Sequence, residues 1–116
     1  MEEKFNWSPI VPDNIKWVGI DWDDCLVNNS GYPDFIPTTP TQGAIDVLNR
    51  LDSNGYKIII YTARPWSDYH NIEKYCEHYK IPARRIICGK PLFKYIIDDK
   101  NIEFKGNWDE VIKKIC

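Results

Sequence analysis

The stretch that decides the fold is KWVGIDWDD, residues 16–24, in which a short apolar run passes directly into acidic residues. Such a run is typical of a buried strand in a parallel sheet. Ligands of parallel α/β sheets bind beyond the carboxyl ends of the strands. We therefore expect a strand over Lys16–Ile20 that delivers Asp21 and Asp23 to a functional site.

Further apolar runs predict more strands. The run KIIIY predicts a second buried strand, and shorter runs predict a third strand, a fourth strand and an edge strand. In chain order these segments are Lys57–Tyr61, Arg85–Cys88, Tyr95–Ile97 and Ile102–Phe104.

Amphipathic stretches between the strands predict three helices. The first spans Thr41–Asn54 and ends at Gly55. Ser67 is the predicted cap of the second, which ends at Pro82, and Asn107 is the predicted cap of the last, with Glu110 three residues later as in a capping box.

Strands and helices therefore alternate, which predicts a three-layer α/β sandwich with a parallel, doubly wound, Rossmann-like sheet. A chain of 116 residues fits one domain, so we assign residues 1–116 to a single unit. Residues 1–15 form an irregular lead-in. Residues 28–40 are rich in Gly and Pro and predict a loop longer than an ordinary connection, a length that is often functional.

The composition disfavours several classes of protein. A net charge of −2 gives no overall field that favours nucleic acid or an anionic membrane. No apolar run is long enough to span a membrane, and the charged N-terminus lacks a signal core, so we expect a cytoplasmic protein. The four cysteines form no C-x-x-C pair, which argues against a zinc site.

Polar side chains follow each of the four main predicted strands, and parallel strand ends meet at one edge of a sheet. The cluster that this predicts contains Asp21, Asp23, Thr62, Arg64, Lys90, Asp98 and Asp99. Each signal alone is weak, because a D-x-D pair or a threonine after a strand is common in surface turns. The combination is specific because every member occupies the same kind of position.

These residue types fit phosphate chemistry. So many carboxylates are costly together unless a cation neutralises them, and Mg²⁺ prefers oxygen ligands and substrate phosphate. One acid can attack phosphorus while a second transfers protons. Thr62 can donate to a phosphate oxygen, Lys90 can offset negative charge, and Arg64 can clamp phosphate with its planar fork.

Four motifs carry a resemblance to a known family. They are GIDWDDCLV (19–27), IIIYTAR (58–64), the lysine of CGKP (88–91) and YIIDDKN (95–101). In these motifs the chain resembles the haloacid dehalogenase superfamily of phosphatases, over most of residues 16–115. It also resembles small phosphatases of this superfamily without a cap domain, which are associated with capsular polysaccharide synthesis, and similar phage proteins.

The resemblance implies a Mg²⁺-dependent phosphatase. Asp21 matches the nucleophile, which also binds the metal, and Asp23 matches the general acid and base, whose carbonyl is a metal ligand. Thr62 and Lys90 match the pair that stabilises the phosphate. Arg64 matches an arginine of some members. Asp98 and Asp99 match the acidic pair that holds magnesium, and Asp99 is favoured for direct contact with the metal.

The chain departs from the family at three positions of the first motif. Cys25 stands where Thr or Val is common, Asp24 stands where many members have Gly, and the bulky Trp22 is expected to form part of the substrate wall.

The family often inserts a cap domain, and here only the loop 28–40 occupies that place. The site is then open, unless a neighbouring subunit in a homo-oligomer covers it. Near the expected cleft Tyr32, Phe35 and Trp66 are candidates to touch a base or sugar. A sugar phosphate, a nucleotide and a phosphate on a larger molecule, including a nucleic-acid end, all remain open as substrates.

Other functions compete with hydrolysis. A non-catalytic module that binds phosphate and metal would keep the same residues. A receiver domain of a signalling system also gathers Asp, Thr and Lys around magnesium, but its acidic pair comes early in the chain, whereas here the pair follows Lys90. A phosphotransferase would use an acceptor other than water.

Overall fold

The computed structural model describes residues 16–28 and 38–116. Within these ranges three parallel strands form one sheet in the order β1-β2-β3, with β1 at Trp17–Ile20, β2 at Lys57–Tyr61 and β3 at Ala83–Ile87. Three of the predicted strands are therefore confirmed, with boundaries that differ by at most two residues.

The central strand β2 is the best-buried part of the sheet. Ile58, Ile59 and Ile60 are all buried, although neighbouring residues of a strand point to opposite faces. Both faces of the sheet are therefore covered at β2, as the continuous apolar run predicts. The molecule is a small, compact α/β fold consistent with a Rossmann-like sandwich.

The described part of the chain also contains three helices: α1 at Ala44–Ser53, α2 at Tyr69–Tyr79 and α3 at Trp108–Ile115. A 3-10 turn at Trp66–Asp68 precedes α2. Helix α1 packs against β2 and α3, and α2 packs against β3. Right-handed crossovers that advance from β1 to β2 to β3 place α1 and α2 on the same face, so the doubly wound arrangement stays a prediction.

Two of the predicted helix boundaries are confirmed in detail. Beyond α1, Gly55 adopts a left-handed φ of 88°, and its N–H donates to the carbonyl of Asp52. The N–H of Tyr56 donates to Leu51, which completes a Schellman motif. At α3 the Oδ1 atom of Asn107 accepts from the N–H groups of the second and third helical residues, as a cap should.

The predicted cap of α2 is wrong. Ser67 lies inside the 3-10 turn, and Asp68 occupies the N-cap position without a side-chain capping bond. The turn forms because the N–H of Asp68 donates to the carbonyl of Pro65 at 2.9 Å. The carboxylate of Asp68 is bonded elsewhere, to a buried arginine of the candidate site.

The predicted fourth strand, Tyr95–Ile97, and the edge strand, Ile102–Phe104, are also wrong. Neither segment is a strand, and residues 91–101 contain no helix or strand. An apolar run of three residues gives a weak signal, and the structure leaves its side chains in solvent, with Ile97 fully exposed. Phe104 instead packs on Trp108 of α3, with ring centroids 4.9 Å apart.

The predicted loop 28–40 is described only at its two ends. Val27 forms an antiparallel bridge with Pro40, and the N–H of Asn28 donates to the carbonyl of Thr39 at 3.2 Å. The predicted lead-in, residues 1–15, and the loop interior, residues 29–37, lie outside the described residues. No helix in the described ranges is long and apolar enough to cross a membrane.

Candidate functional site

Asp21 and Lys90 meet at the carboxyl edge of the sheet. The Nζ atom of Lys90 lies 3.4 Å from Oδ1 of Asp21, which also accepts the N–H of Trp22 at 2.9 Å. The carboxylate is about half exposed, with a side-chain accessibility of 46%, whereas the lysine is at 18%. Asp21 is therefore open to a ligand while a cation is held beside it.

Trp22 does not form the expected substrate wall. Its side chain is completely buried and meets Tyr75 of α2 edge-on, with ring centroids 5.0 Å apart. Its two acidic neighbours differ from it, since Asp21 is exposed and Asp23 is half-buried. The bulky residue between the acids thus belongs to the core.

Backbone hydrogen bonds join the segments that follow β2 and β3. The N–H of Thr62 donates to Ile87, the N–H of Lys90 donates to Thr62, and the N–H of Gly89 donates to Arg64, at 2.8 to 2.9 Å. These bonds extend the pairing beyond the strands themselves. The residues predicted to bind phosphate, Thr62 and Lys90, are therefore fixed relative to each other.

Thr62 is buried at 1% exposure, and its hydroxyl oxygen accepts the N–H of Arg64 at 3.1 Å. This short turn sends the next side chain inward. A buried hydroxyl at a strand end has a defined direction, which is what a donor to a phosphate oxygen requires.

Arg64 is the most unusual polar residue of the site because its side chain has no solvent exposure. Its Nε and Nη2 atoms donate to the two carboxylate oxygens of Asp23, each at 3.0 Å. Its Nη1 atom donates to Asp68 at 3.3 Å. Planar two-point pairing of this kind is among the strongest that proteins form.

The environment of Arg64 stabilises its charge. Burial alone would lower the pKa of Arg64, but the hydrogen bonds and negative charges of Asp23 and Asp68 outweigh it and raise that pKa. The guanidinium therefore orients Asp23. The contact of Arg64 with phosphate stays a prediction. The sequence did not indicate its second role, which is to hold the carboxylate of Asp23.

The two departures that follow Asp23 have local explanations. Asp24 adopts a left-handed φ of 57°, which accounts for glycine as an alternative there, and Asp is among the residues that tolerate it. The pKa of Cys25 is raised to about 12, mainly by burial and by the charge of Asp21, against the opposing charge of Lys90. The thiol is therefore neutral at physiological pH.

The last predicted acids, Asp98 and Asp99, contact a neighbouring lysine. Asp98 and Asp99 are exposed, and both interact with Lys100: the first accepts its N–H at 2.8 Å, and the second lies 3.6 Å from its ammonium. Among the described residues no group of three or more His, Cys, Asp or Glu is placed to hold a metal. In this arrangement the carboxylates do not fit the predicted magnesium site.

Comparison with known proteins shows a shared fold. A crystal structure of an MCSG target from Vibrio cholerae matches with a TM-score of 0.58 and 22% identity, over 87% of this chain and 99% of that one. Identity at this level speaks for the fold alone. No family model and no curated protein matches the chain.

Sequence reasoning found most of this cluster but missed Asp68. Its spacing of four residues from Arg64 was an available signal, since that spacing favours ion pairs on a helix.

Of the aromatic candidates, Trp66 is exposed beside the cluster, whereas Tyr32 and Phe35 lie outside the described residues. Tyr61, at the end of β2, is a further exposed ring that the sequence analysis did not select.

Proposed function

We propose that this protein hydrolyses a phosphomonoester, with Asp21 as the nucleophile. The observation that carries the proposal is the 3.4 Å approach of the Lys90 ammonium to a half-exposed Asp21 carboxylate. The arginine-held carboxylate of Asp23 lies two residues from the nucleophile, and Thr62 is joined to Lys90 through the backbone. An open nucleophile, a cation and an oriented second acid are what phosphoryl transfer through an enzyme carboxylate needs.

In the first half-reaction an Asp21 oxygen attacks phosphorus, and the bond between phosphorus and the ester oxygen breaks. Asp23, which takes up a proton from solvent and releases one oxygen from Arg64 before this step, gives that proton to the leaving oxygen. Lys90 offsets charge on the phosphoryl oxygens, and Thr62 donates a hydrogen bond to one of them. The products of this step are an alcohol and an aspartyl-phosphate.

In the second half-reaction a water molecule attacks the phosphorus of the aspartyl-phosphate. Asp23 takes the proton from that water, the bond between phosphorus and the Asp21 oxygen breaks, and inorganic phosphate leaves. Both carboxyl groups return to their starting states, so the cycle closes with one water consumed. Arg64 acts as a positioning residue, because it holds both oxygens of the ionised Asp23 that takes this proton.

Magnesium is proposed as the cofactor on the strength of the sequence resemblance. The described carboxylates do not gather into a metal site, so the steps above use protein side chains and water alone. In such chemistry a bound Mg²⁺ would neutralise charge on the phosphate and the acids. The proposal therefore has to be tested with and without the cation.

A non-catalytic phosphate-binding module is the second candidate. The described residues contain no group of three or more possible metal ligands, which favours it, because a site without a full set of metal ligands can retain a phosphate without turning it over. The two candidates share Lys90 and Thr62 and differ in whether Asp21 reacts.

The deciding experiment measures hydrolysis of p-nitrophenyl phosphate with and without Mg²⁺, in the wild type and in two matched variants. Asp21→Asn removes the proposed nucleophile and should lower kcat by about a thousandfold or more. Asp24→Asn is the control, since it makes the same chemical change at an exposed neighbour whose left-handed backbone asparagine also tolerates.

Equal activity in the two variants would contradict the nucleophile assignment. Phosphate binding without release of p-nitrophenol by the wild type, under either metal condition, would establish the binding module instead. Reductive trapping with borohydride, followed by mass spectrometry, should locate the acyl-phosphate on Asp21.

A further inference from the structure

Two exposed aromatic side chains stand beside the candidate site. Outside residues 91–101, the large apolar side chains that the described part of the chain leaves exposed are Tyr61, at 42%, and Trp66, at 57%. An exposed large ring loses the stabilisation that burial would give it. Their occurrence together next to the site, rather than at scattered surface positions, calls for a functional explanation.

Both rings lie against the segment that carries Lys90. The Lys90 ammonium is 5.2 Å from the centroid of the Tyr61 ring. The indole of Trp66 lies over Gly89, with its Nε1 atom 3.5 Å from the position that a Cβ at Gly89 would occupy. The two rings therefore flank the residue pair whose lysine contacts the nucleophile, and we call Tyr61 and Trp66 the aromatic shelf.

The Trp66 ring is held in place before any ligand arrives. One side of it stacks on Tyr69, with centroids 6.0 Å apart and planes inclined by 22°. Its 3-10 turn also contains Asp68, which pairs with Arg64 at 3.3 Å. One buried guanidinium, that of Arg64, thus holds both the turn that carries Trp66 and the carboxylate of Asp23. The position of Trp66 is therefore fixed relative to the proposed general acid and base.

We propose that the aromatic shelf binds the leaving group of the substrate and that this group carries a planar ring, as in a nucleoside monophosphate. The inference rests on the proposed function, because it takes the phosphate to lie between Asp21 and Lys90. A base that stacks on an exposed, preorganised ring gains affinity at little conformational cost.

The charge of the molecule favours a mononucleotide over a nucleic acid. The net charge is −2, and three of the residues that surround the shelf, Asp21, Asp23 and Asp68, are acidic. Binding of a polyanion relies on many lysine and arginine contacts with phosphates. A substrate with one phosphate and one base requires only the cation that is already beside Asp21.

The test compares Tyr61→Ala, Trp66→Ala and Trp66→Phe on two substrates, adenosine monophosphate and glycerol phosphate, which lacks a ring. Each alanine variant should lose about tenfold or more in kcat/KM on the nucleotide and less than twofold on glycerol phosphate. Trp66→Phe should retain most of the nucleotide activity because it keeps a flat ring. Tyr95→Ala is the control, since it removes a 78% exposed ring elsewhere.

Several results would overturn the shelf. They are an equal loss on both substrates, a wild-type preference for glycerol phosphate, a stronger Trp66 dependence on a hexose phosphate, and a more than tenfold preference for a 5′-phosphorylated oligonucleotide. Each of these results would mean that Tyr61 and Trp66 do not bind the base of a mononucleotide.

Equilibrium binding separates failure of the shelf from failure of the proposed hydrolysis. Adenosine monophosphate is titrated into Asp21→Asn with and without Trp66→Ala, and affinity is read by calorimetry. A tenfold weaker affinity in the double variant supports the shelf even if no substrate is turned over. Equal affinities overturn it, whatever the activity of the wild type.

Discussion

The residues Thr62 and Arg64 and the residues Asp98 and Asp99 were predicted by the same rule, as polar residues that follow an apolar strand, yet the structure places the two pairs in opposite environments. Thr62 and Arg64 are almost completely buried, and backbone hydrogen bonds tie them to the end of β3. Within residues 91–101, Leu92 is 83% exposed and Ile97 is fully exposed, and Asp98 accepts a local hydrogen bond from the N–H of Lys100.

The difference shows what places a side chain at the edge of a sheet. Residues 58–60 pair with strands on both sides, and that pairing fixes the direction in which the chain leaves the sheet. Tyr95–Ile97 has the same apolar character over three residues but does not pair in the sheet, so no strand directs the acids that follow it. A motif at a strand end therefore depends on the strand before it.

The largest expected contrast is in amide hydrogen exchange. The N–H groups of Ile59 and Ile60 belong to the central strand and should exchange only on global unfolding, whereas those of Ile96 and Ile97 should exchange freely. With ordinary stability the protection factors should differ by about 10⁴-fold or more. Equal protection, measured by mass spectrometry or NMR, would restore the fourth strand of the sequence prediction.

The next contrast concerns the buried guanidinium. Arg64→Gln removes a charge with no solvent exposure from two carboxylates and should lower the free energy of unfolding by about 3 kcal/mol. Arg84→Gln, the same change at an exposed position, should alter it by less than about 0.5 kcal/mol. Urea denaturation of both variants measures the difference, and equal midpoints would show that the buried pair contributes little.

A smaller effect tests whether the exposed acids serve the site. The double variant of Asp98→Asn and Asp99→Asn should leave the free energy of unfolding within about 0.5 kcal/mol, because both side chains are in solvent. If they assist the cation in solution, the Mg²⁺ concentration for half-maximal activity should rise about tenfold. Glu103→Gln is the exposed control. An unchanged Mg²⁺ dependence would remove residues 91–101 from the site.

The smallest expected effect is a loss of stability at alkaline pH. Burial is the main cause that raises the pKa of Cys76 to about 12 and of Cys88 to about 11, from the ordinary value of 9. The folded state therefore keeps these protons where the unfolded chain has lost them. The stabilisation is complete below pH 9 and is lost progressively as pH rises toward 12.

Denaturation at pH 8, 9 and 10 measures this slope. Cys76→Ala should make it shallower, while Cys116→Ala, at an exposed thiol, should leave it unchanged. A slope that is the same in both variants would contradict the assignment to buried thiols.

Much of the fold could be predicted because the decisive signals are local. KIIIY is buried as its composition indicates, Gly55 ends α1 with positive φ, and Asn107 caps α3. The pairing of Asp21 with Lys90 also follows from strand order. The arginine clamp could not be predicted, because which partner a buried Arg64 meets depends on the packing of a turn that precedes α2.

The paired ends of the loop 28–40 have a consequence for how the molecule can be extended. Val27 and Pro40 form a β-bridge. The Thr41 hydroxyl donates to the backbone carbonyl of Cys25 at 2.7 Å and accepts the indole N–H of Trp108 at 2.8 Å. The two ends of the loop thus lie next to each other, and each is held by its own hydrogen bonds. A foreign module with adjacent termini can be grafted there while Asp21 keeps its scaffold. The paired ends of the loop are therefore a suitable insertion point for a reporter or a second enzyme, which would follow Asp21 by only a few residues of chain.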